Sequence, residues 1–255
     1  MGLKFELKVF TLYVTLMAVA EAVVSFVDPV YGLLSHSAIM VSLLVLPAFW
    51  RENPSSELFL SLSLAPLIRI LSLSLPFAYL PRYTWFVVAS LPIYAATFAL
   101  LKVQGLGLAD VGVTFKRPFA QACIGLTGVP FGVVEYYILK PEPLAPGLSA
   151  WGLTLLAAAL VLSTGFVEEL VFRGIMLKSA VEALGERMGV VGVSAIFALL
   201  HVGWLSALDV VFVFLIGIFF AISAIKTGSI VGVSLSHGLT NVLLFLLMPS
   251  APQGL

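Results

Sequence analysis

Charge is scarce in this 255-residue chain: 10% of its residues are Asp, Glu, Lys or Arg, and 13 basic side chains cancel 13 acidic ones. With 61% hydrophobic residues and a mean hydropathy of +1.13, there is too little polar surface for a soluble domain. Zero net charge removes any electrostatic case for nucleic-acid binding or for an acidic partner. Cysteine is nearly absent as well. Cys123 alone allows neither an internal disulfide nor a cysteine-rich metal site, and its apolar neighbours read as those of a small core residue. The zinc-protease motif H-E-x-x-H is missing, and no repeat with matching motifs relates the two halves.

What remains is a series of long apolar runs. They lie at 9–27, 34–50, 57–80, 84–103, 119–139, 153–180, 189–206, 209–225 and 229–248, each long enough or nearly long enough to cross a bilayer. The expected fold is therefore an all-α, polytopic transmembrane bundle of eight or nine helices. Breaks fall at Arg51 to Pro54, Pro81-Arg82, Gly105 to Pro118, Lys140 to Pro146, Gly185 to Arg187 and Lys226 to Gly228. Residues 1–8 followed by an apolar run resemble a signal peptide. The presence of Glu21 and Asp28, and the lack of a small-x-small cleavage site, point instead to a retained first span. A cytoplasmic N-terminus puts Lys4, Lys8, Arg51, Lys102, Lys116, Arg117, Lys178, Arg187 and Lys226 inside and leaves Arg82 and Lys140 outside, in accord with the positive-inside rule. A multi-pass protein of the cell membrane with its N-terminus inside is the expectation.

Ionisable residues within spans are costly, so those present carry information. Glu21, Arg69 and Glu135 are scattered singly and read as snorkelling or paired structural groups. In the second half the polar residues form three groups with helical spacing. Glu168-Glu169-x-x-x-Arg173 places Glu169 and Arg173 one turn apart, able to pair, with Glu168 about 100° around the helix and without that partner. Phe197-x-x-x-His201 ends one span, and His237-x-x-x-Asn241 puts imidazole and amide on one face of the last. Taken singly, these groups also fit an ion pair, a helix cap and interhelical hydrogen bonding.

Depth connects them. Glu168 lies 17 residues before Gly185 and His201 16 after it, so an antiparallel pair holds both at roughly 24 Å from that turn, at about 1.5 Å per residue. His237 enters from the same side, about 14 Å deep on the same rise. Tilt brings the four groups into one layer, expected to be reached from the cytoplasm. Gly228, Gly232, Ser236 and Thr240 form a small-residue ridge beside them, and Ser194 and Ala198 leave a low surface on the neighbouring helix.

A carboxylate and a histidine sharing a water can take its proton as it attacks a carbonyl, while a histidine donor and an asparagine amide stabilise the resulting oxyanion. Glu168, His201 and His237 also compose a two-His, one-carboxylate zinc set. That set leaves Asn241 and the doubled glutamate without a need, so catalysis without a cofactor is preferred and zinc is the alternative. A proton-coupled transporter would call for inverted repeats and broken helices near the acids, and neither is visible.

Glu168-Glu169-Leu-Val-Phe-Arg173, Phe197-Ala-Leu-Leu-His201 and His237-Gly-Leu-Thr-Asn241 resemble, in order, the EExxxR, FxxxH and HxxxN motifs of the CPBP family. That family comprises type II CAAX prenyl endopeptidases and bacteriocin-processing or self-immunity proteins. Leu106 to Val113 is similar to the interfacial stretch ahead of the family core, so the resemblance covers residues 105 to 248. It divides the chain into N-terminal helices, 1–104, and a protease-like core, 105–255. It implies an intramembrane glutamic endopeptidase open to the cytoplasm, acting on a membrane-anchored protein that in the narrower case is prenylated. Glu168 would then be the general base, His201 would position the water, and His237 with Asn241 would form the oxyanion hole. Glu169 with Arg173 would hold the helix and orient the site. A non-catalytic immunity or scaffold protein of the same fold is the alternative, which a missing motif residue would favour; none is missing.

Overall fold

The computed structural model describes residues 3–49, 55–75 and 79–250. Arg51 to Pro54, where one break and one cytoplasmic arginine are expected, lie outside the described residues. The described chain has no strand and forms nine helices: α1 (Lys4–Phe26), α2 (Pro29–Val45), α3 (Ser55–Ser74), α4 (Arg82–Gln104), α5 (Pro118–Leu139), α6 (Ala150–Leu184), α7 (Glu186–Trp204), α8 (Ala207–Thr227) and α9 (Val231–Ser250). All but α2 are long and apolar enough to span a bilayer, and the protein is a multi-pass integral membrane protein. The 17-residue α2 begins earlier than the apolar run at 34–50 suggests. Asp28 accepts a hydrogen bond from the Val30 amide at 2.7 Å and Pro29 occupies the first turn, so the chain reverses at once and α2 packs back along α1.

Prolines account for two interruptions. In α3 the helix loosens at Ser63, three residues before Pro66, and in α5 at Thr127, three residues before Pro130. Each proline lacks the N–H that would bond back one turn, and its ring crowds the preceding turn. The long helix α6 is interrupted differently. It widens into π-helical turns at Val161–Phe166 and Leu170–Met176, with only Val167–Glu169 as α-helix between them. Such bulges recur at functional sites. The helix carrying the acids thus widens without breaking.

Without a hydrophobic force between helices in lipid, close contact must come from small side chains. The predicted ridge on α9 is used this way: Gly232 meets Gln121 of α5, and Ser236 and Thr240 lie against Gly128 and Gly132. On its other side α9 crosses the first π turn of α6, where a Cβ on Gly165 would stand 2.6 Å from the Gly238 nitrogen and the Ser234 oxygen. These contacts fix which face of α5 is inside. Gln121 and Gly125 are buried against α9, and Cys123, read from sequence as a core residue, is exposed on the outward face. Local apolar neighbours did not distinguish protein from lipid at that position.

Two of the isolated ionic residues of the first half, Glu21 and Arg69, find each other across the bundle, whereas Glu135 makes no ion pair among the described residues. Arg69 of α3 bridges to Glu21 of α1 through Nε at 2.8 Å and Nη2 at 2.7 Å, and His36 of α2 places Nε2 3.3 Å from the same carboxylate. Between α4 and α5, the stretch 105–117 docks on the α8–α9 turn: the Ile230 amide donates to the Gly112 carbonyl at 2.8 Å and Thr114 Oγ1 to the Gly228 carbonyl at 2.9 Å.

Gly165→Val is expected to destabilise the detergent-solubilised protein by about 1–3 kcal/mol or more, because neither backbone at the α6–α9 crossing can yield. Gly152→Ala on the same helix meets only ordinary van der Waals contacts and should leave the melting temperature unchanged.

Candidate active site

Glu169 lies at the centre of the bundle, fully buried. Its Oε1 accepts from Arg173 Nη1 at 2.8 Å, one turn along α6, and contacts His237 Nδ1 of α9 at 2.9 Å. One carboxylate oxygen thus ties the two helices together at the level of the motifs. The Arg173 guanidinium sits 4.2 Å from the ring centre of Phe197, 5.5 Å from Phe220 and 5.9 Å from Phe172, and Nη2 reaches the Gly217 carbonyl at 3.5 Å. Aromatic faces around a desolvated cation supply part of what water would have given it. Gly217 lacks a Cβ where one would stand 3.3 Å from Arg173 Nη2.

Glu168 points elsewhere. Its side chain keeps 27% of its surface accessible, and Oε2 is 3.9 Å from His237 Nε2, beyond a direct hydrogen bond. The two nitrogens of His237 are thus addressed by different acids, Nδ1 by Glu169 and Nε2 by Glu168. The imidazole is held edge-on to Phe197, with ring centres 5.7 Å apart. His201 follows the last turn of the α-helical part of α7, and its Nδ1 lies 3.0 Å from the Phe197 carbonyl. A carbonyl only accepts, so Nδ1 carries the hydrogen and Nε2 is the nitrogen left for other partners. Asn241 Nδ2 donates to Thr164 Oγ1 at 2.8 Å, and Thr164 in turn donates to the Leu160 carbonyl at 2.7 Å, which orients the amide.

Glu168, His201, His237 and Asn241 all line one cavity of about 270 Å³; Glu169 and Arg173 do not. The split agrees with the helical-spacing expectation for the two adjacent glutamates. Other walls come from residues that sequence reasoning passed over. Thr164 stands one turn before Glu168, a spacing that could have exposed it. Arg69 and Glu135 also line the cavity. Arg69 donates through Nη2 to the Leu200 carbonyl at 2.7 Å, so the Glu21–Arg69 pair braces the backbone beside His201. Glu135, on α5, is 7% exposed and has no hydrogen bond or ion pair among the described residues. Residues 1–104 therefore supply part of the wall through Ile68, Arg69, Phe86 and Ser90. Among the described residues no three His, Cys, Asp or Glu side chains stand together as a metal-binding set.

The cavity runs in one direction from the motif residues. Along α9 its lining continues from Asn241 to Leu244 and Phe245, along α7 from His201 to Trp204, along α3 from Arg69 to Ser72, and along α6 back from Glu168 to Ser163. With consecutive helices antiparallel, all four steps lead to the end of the bundle that holds the α3–α4, α5–α6 and α7–α8 connections. That end is opposite Lys102, Lys178, Arg187 and Lys226. A cytoplasmic N-terminus and a cytoplasmic opening, both expected from sequence, therefore conflict. Counting about 24 Å from the Gly185 turn already put Glu168 past the middle of a core about 30 Å thick.

Arg173→Ala should cost about 3–5 kcal/mol, since it leaves Glu169 charged and buried without its cation. Glu168→Gln, which breaks no direct contact, should shift stability by less than about 1 kcal/mol. Thermal melts of the two purified variants against the parent protein measure both.

Comparison with known proteins finds no match among curated proteins and none among solved structures. Residues 150–243, the stretch that carries all three motifs, match the family model of Rce1-like proteins, the type II CAAX prenyl endopeptidases, which is the family the motifs resemble.

Proposed function

We propose that the protein is an intramembrane endopeptidase of the CAAX-protease type that hydrolyses a peptide bond of a membrane-anchored polypeptide with a water activated by Glu168. The reading rests chiefly on one observation: Glu168, His201, His237 and Asn241, drawn from three helices and separated by up to 73 residues of sequence, face the same cavity, while the paired Glu169 and Arg173 stand behind it.

In this reading the Glu168 carboxylate takes a proton from the water as its oxygen bonds to the scissile carbonyl carbon. His201, with Nδ1 committed to the Phe197 carbonyl, offers Nε2 to hold that water in line. The carbonyl oxygen gains negative charge. His237, protonated on both nitrogens, donates one N–H to Glu169 and the other to this oxyanion, and Asn241 adds the amide hydrogen not engaged by Thr164. When the tetrahedral intermediate collapses, Glu168 returns its proton to the leaving nitrogen, so the carboxylate is regenerated. No metal takes part in these steps. Zinc is the alternative for the same side chains, and a prenyl group on the substrate is the narrower form of the substrate reading.

Cleavage of a fluorogenic, lipid-anchored peptide by the purified protein is the test. Glu168→Gln should lower kcat by about 10²–10⁴, the range ascribed to a general base. A strong chelator should leave the rate unchanged. Full activity in Glu168→Gln would sink the proposal, and activity lost to chelator and restored by zinc would move it to the metal form.

A further inference from the structure

We infer that the cavity opens on the face of the membrane away from the cytoplasm. If the protease reading above is right, its substrate is then a membrane-anchored polypeptide whose scissile segment lies on that exported side. Two independent observations meet in this inference. The first is charge. Lys102, Lys116, Arg117, Lys178, Arg187 and Lys226 are all at or near one end of the helices, whereas Arg82 and Lys140 are the basic residues near the connections at the other. Arg82 is further offset by Glu142, 3.2 Å away. Such a bias assigns the basic end to the cytoplasm.

The second observation is where the cavity is closed. From the motif residues it extends toward Ser72, Phe86, Trp204 and Phe245, at the end poor in basic residues, while a small cavity of about 30 Å³ leads from His201, His237 and Asn241 sideways to Val213 and Ile216 of α8. Toward the basic end its floor is the Glu169–Arg173 pair, packed among Phe172, Phe197 and Phe220. A separate cavity of about 340 Å³ lies beneath that floor, between Val111, Lys116, Lys178 and Ile230, and it reaches Arg173 but none of Glu168, His201, His237 and Asn241. A substrate entering from the cytoplasm would have to break the buried pair and displace three aromatic rings. Entry from the opposite side passes Phe245 where it contacts Phe86 and Trp204, with ring centres 5.6 and 5.9 Å apart, but breaks no buried ion pair among the described residues. A farnesylated or geranylgeranylated tail on the cytoplasmic leaflet is on the wrong face for this opening; an exported, membrane-tethered peptide is on the right one.

Single-cysteine accessibility in intact cells tests the placement without relying on catalysis. In a Cys123→Ser background, cysteines are introduced singly for Glu142 in the α5–α6 connection, for Ser72 on the cavity wall, and for Glu186 at the α6–α7 turn. Each is treated with a membrane-impermeant maleimide before and after permeabilisation. A thiol reacts as its thiolate, in water, so Glu142→Cys and Ser72→Cys should label in intact cells at least roughly tenfold faster than Glu186→Cys, which should label only after permeabilisation. Ser72→Cys labelled only after permeabilisation, or Glu186→Cys labelled in intact cells, overturns the inference, as does a Ser72→Cys thiol unreactive from both sides. Right-side-out and inverted vesicles given a membrane-impermeant anchored peptide complete the test, with cleavage expected in the right-side-out set. Labelling as expected with cleavage in neither set would uphold the placement and refute the protease reading.

Discussion

The bundle is organised around one carboxylate oxygen. Glu169 Oε1 holds Arg173 on its own helix and His237 on α9, in a core where water cannot share the charge. An ion pair buried this far is worth little as a source of stability, because desolvating both charges offsets their attraction. Its value here is positional. The histidine nitrogen nearest Glu168 is presented to the cavity because the other one is taken, and the ring cannot rotate without leaving a buried acid exposed to arginine alone. The same contact sets the register of α6 against α9, which the glycines at the Gly165–Gly238 crossing permit and the Thr164–Asn241 hydrogen bond completes.

A second buried ionic group does similar work from the other half of the chain. Glu21 and Arg69 come from helices that carry no motif, yet Arg69 fastens the carbonyl of Leu200, the residue before His201. Where the α-helical part of α7 ends, its last carbonyls lack intrahelical donors, and in lipid an unmatched carbonyl is expensive. Arginine answers that need and Glu21 keeps the arginine in place. The N-terminal helices thus contribute to the site by terminating a helix in a defined position. A division of the chain into a membrane anchor and a catalytic core would miss that contribution.

Much of this architecture was legible in the amino-acid sequence because lipid imposes a simple rule on it. Runs without charge become helices, and the structure's helices follow those runs to within a few residues at most ends. The separation of Glu168 from Glu169 was legible for an equally simple reason: neighbours on a helix face different ways, and only one of them has arginine a turn away. What escaped depends on how helices face one another. Cys123 and Gln121 sit in the same apolar run, and hydropathy alone assigns the polar one outside; the glycines of α5 against α9 do the reverse. Helical periodicity also gave no hint that Arg69 and Glu135 turn toward the cavity, since each lies alone in its span and its partner or neighbour comes from a distant segment.

Two facts legible in the sequence bear on the direction of the opening. On the positive-inside rule the basic residues favour a cytoplasmic Gly185 turn, and residue counting puts Glu168 and His201 far from that turn. Resemblance to enzymes acting on cytoplasmic tails favours a cytoplasmic opening. Depth and charge together favour the other face, the inference drawn above, and the cost of opening the Glu169–Arg173 pair weighs in the same direction. A floor made of a desolvated ion pair under three phenylalanines is costly to open, while the opposite rim, where Phe86 and Trp204 contact Phe245, holds no ion pair among the described residues. On the proposed reading, the residues that hold the site in place therefore also bias the side from which a substrate arrives.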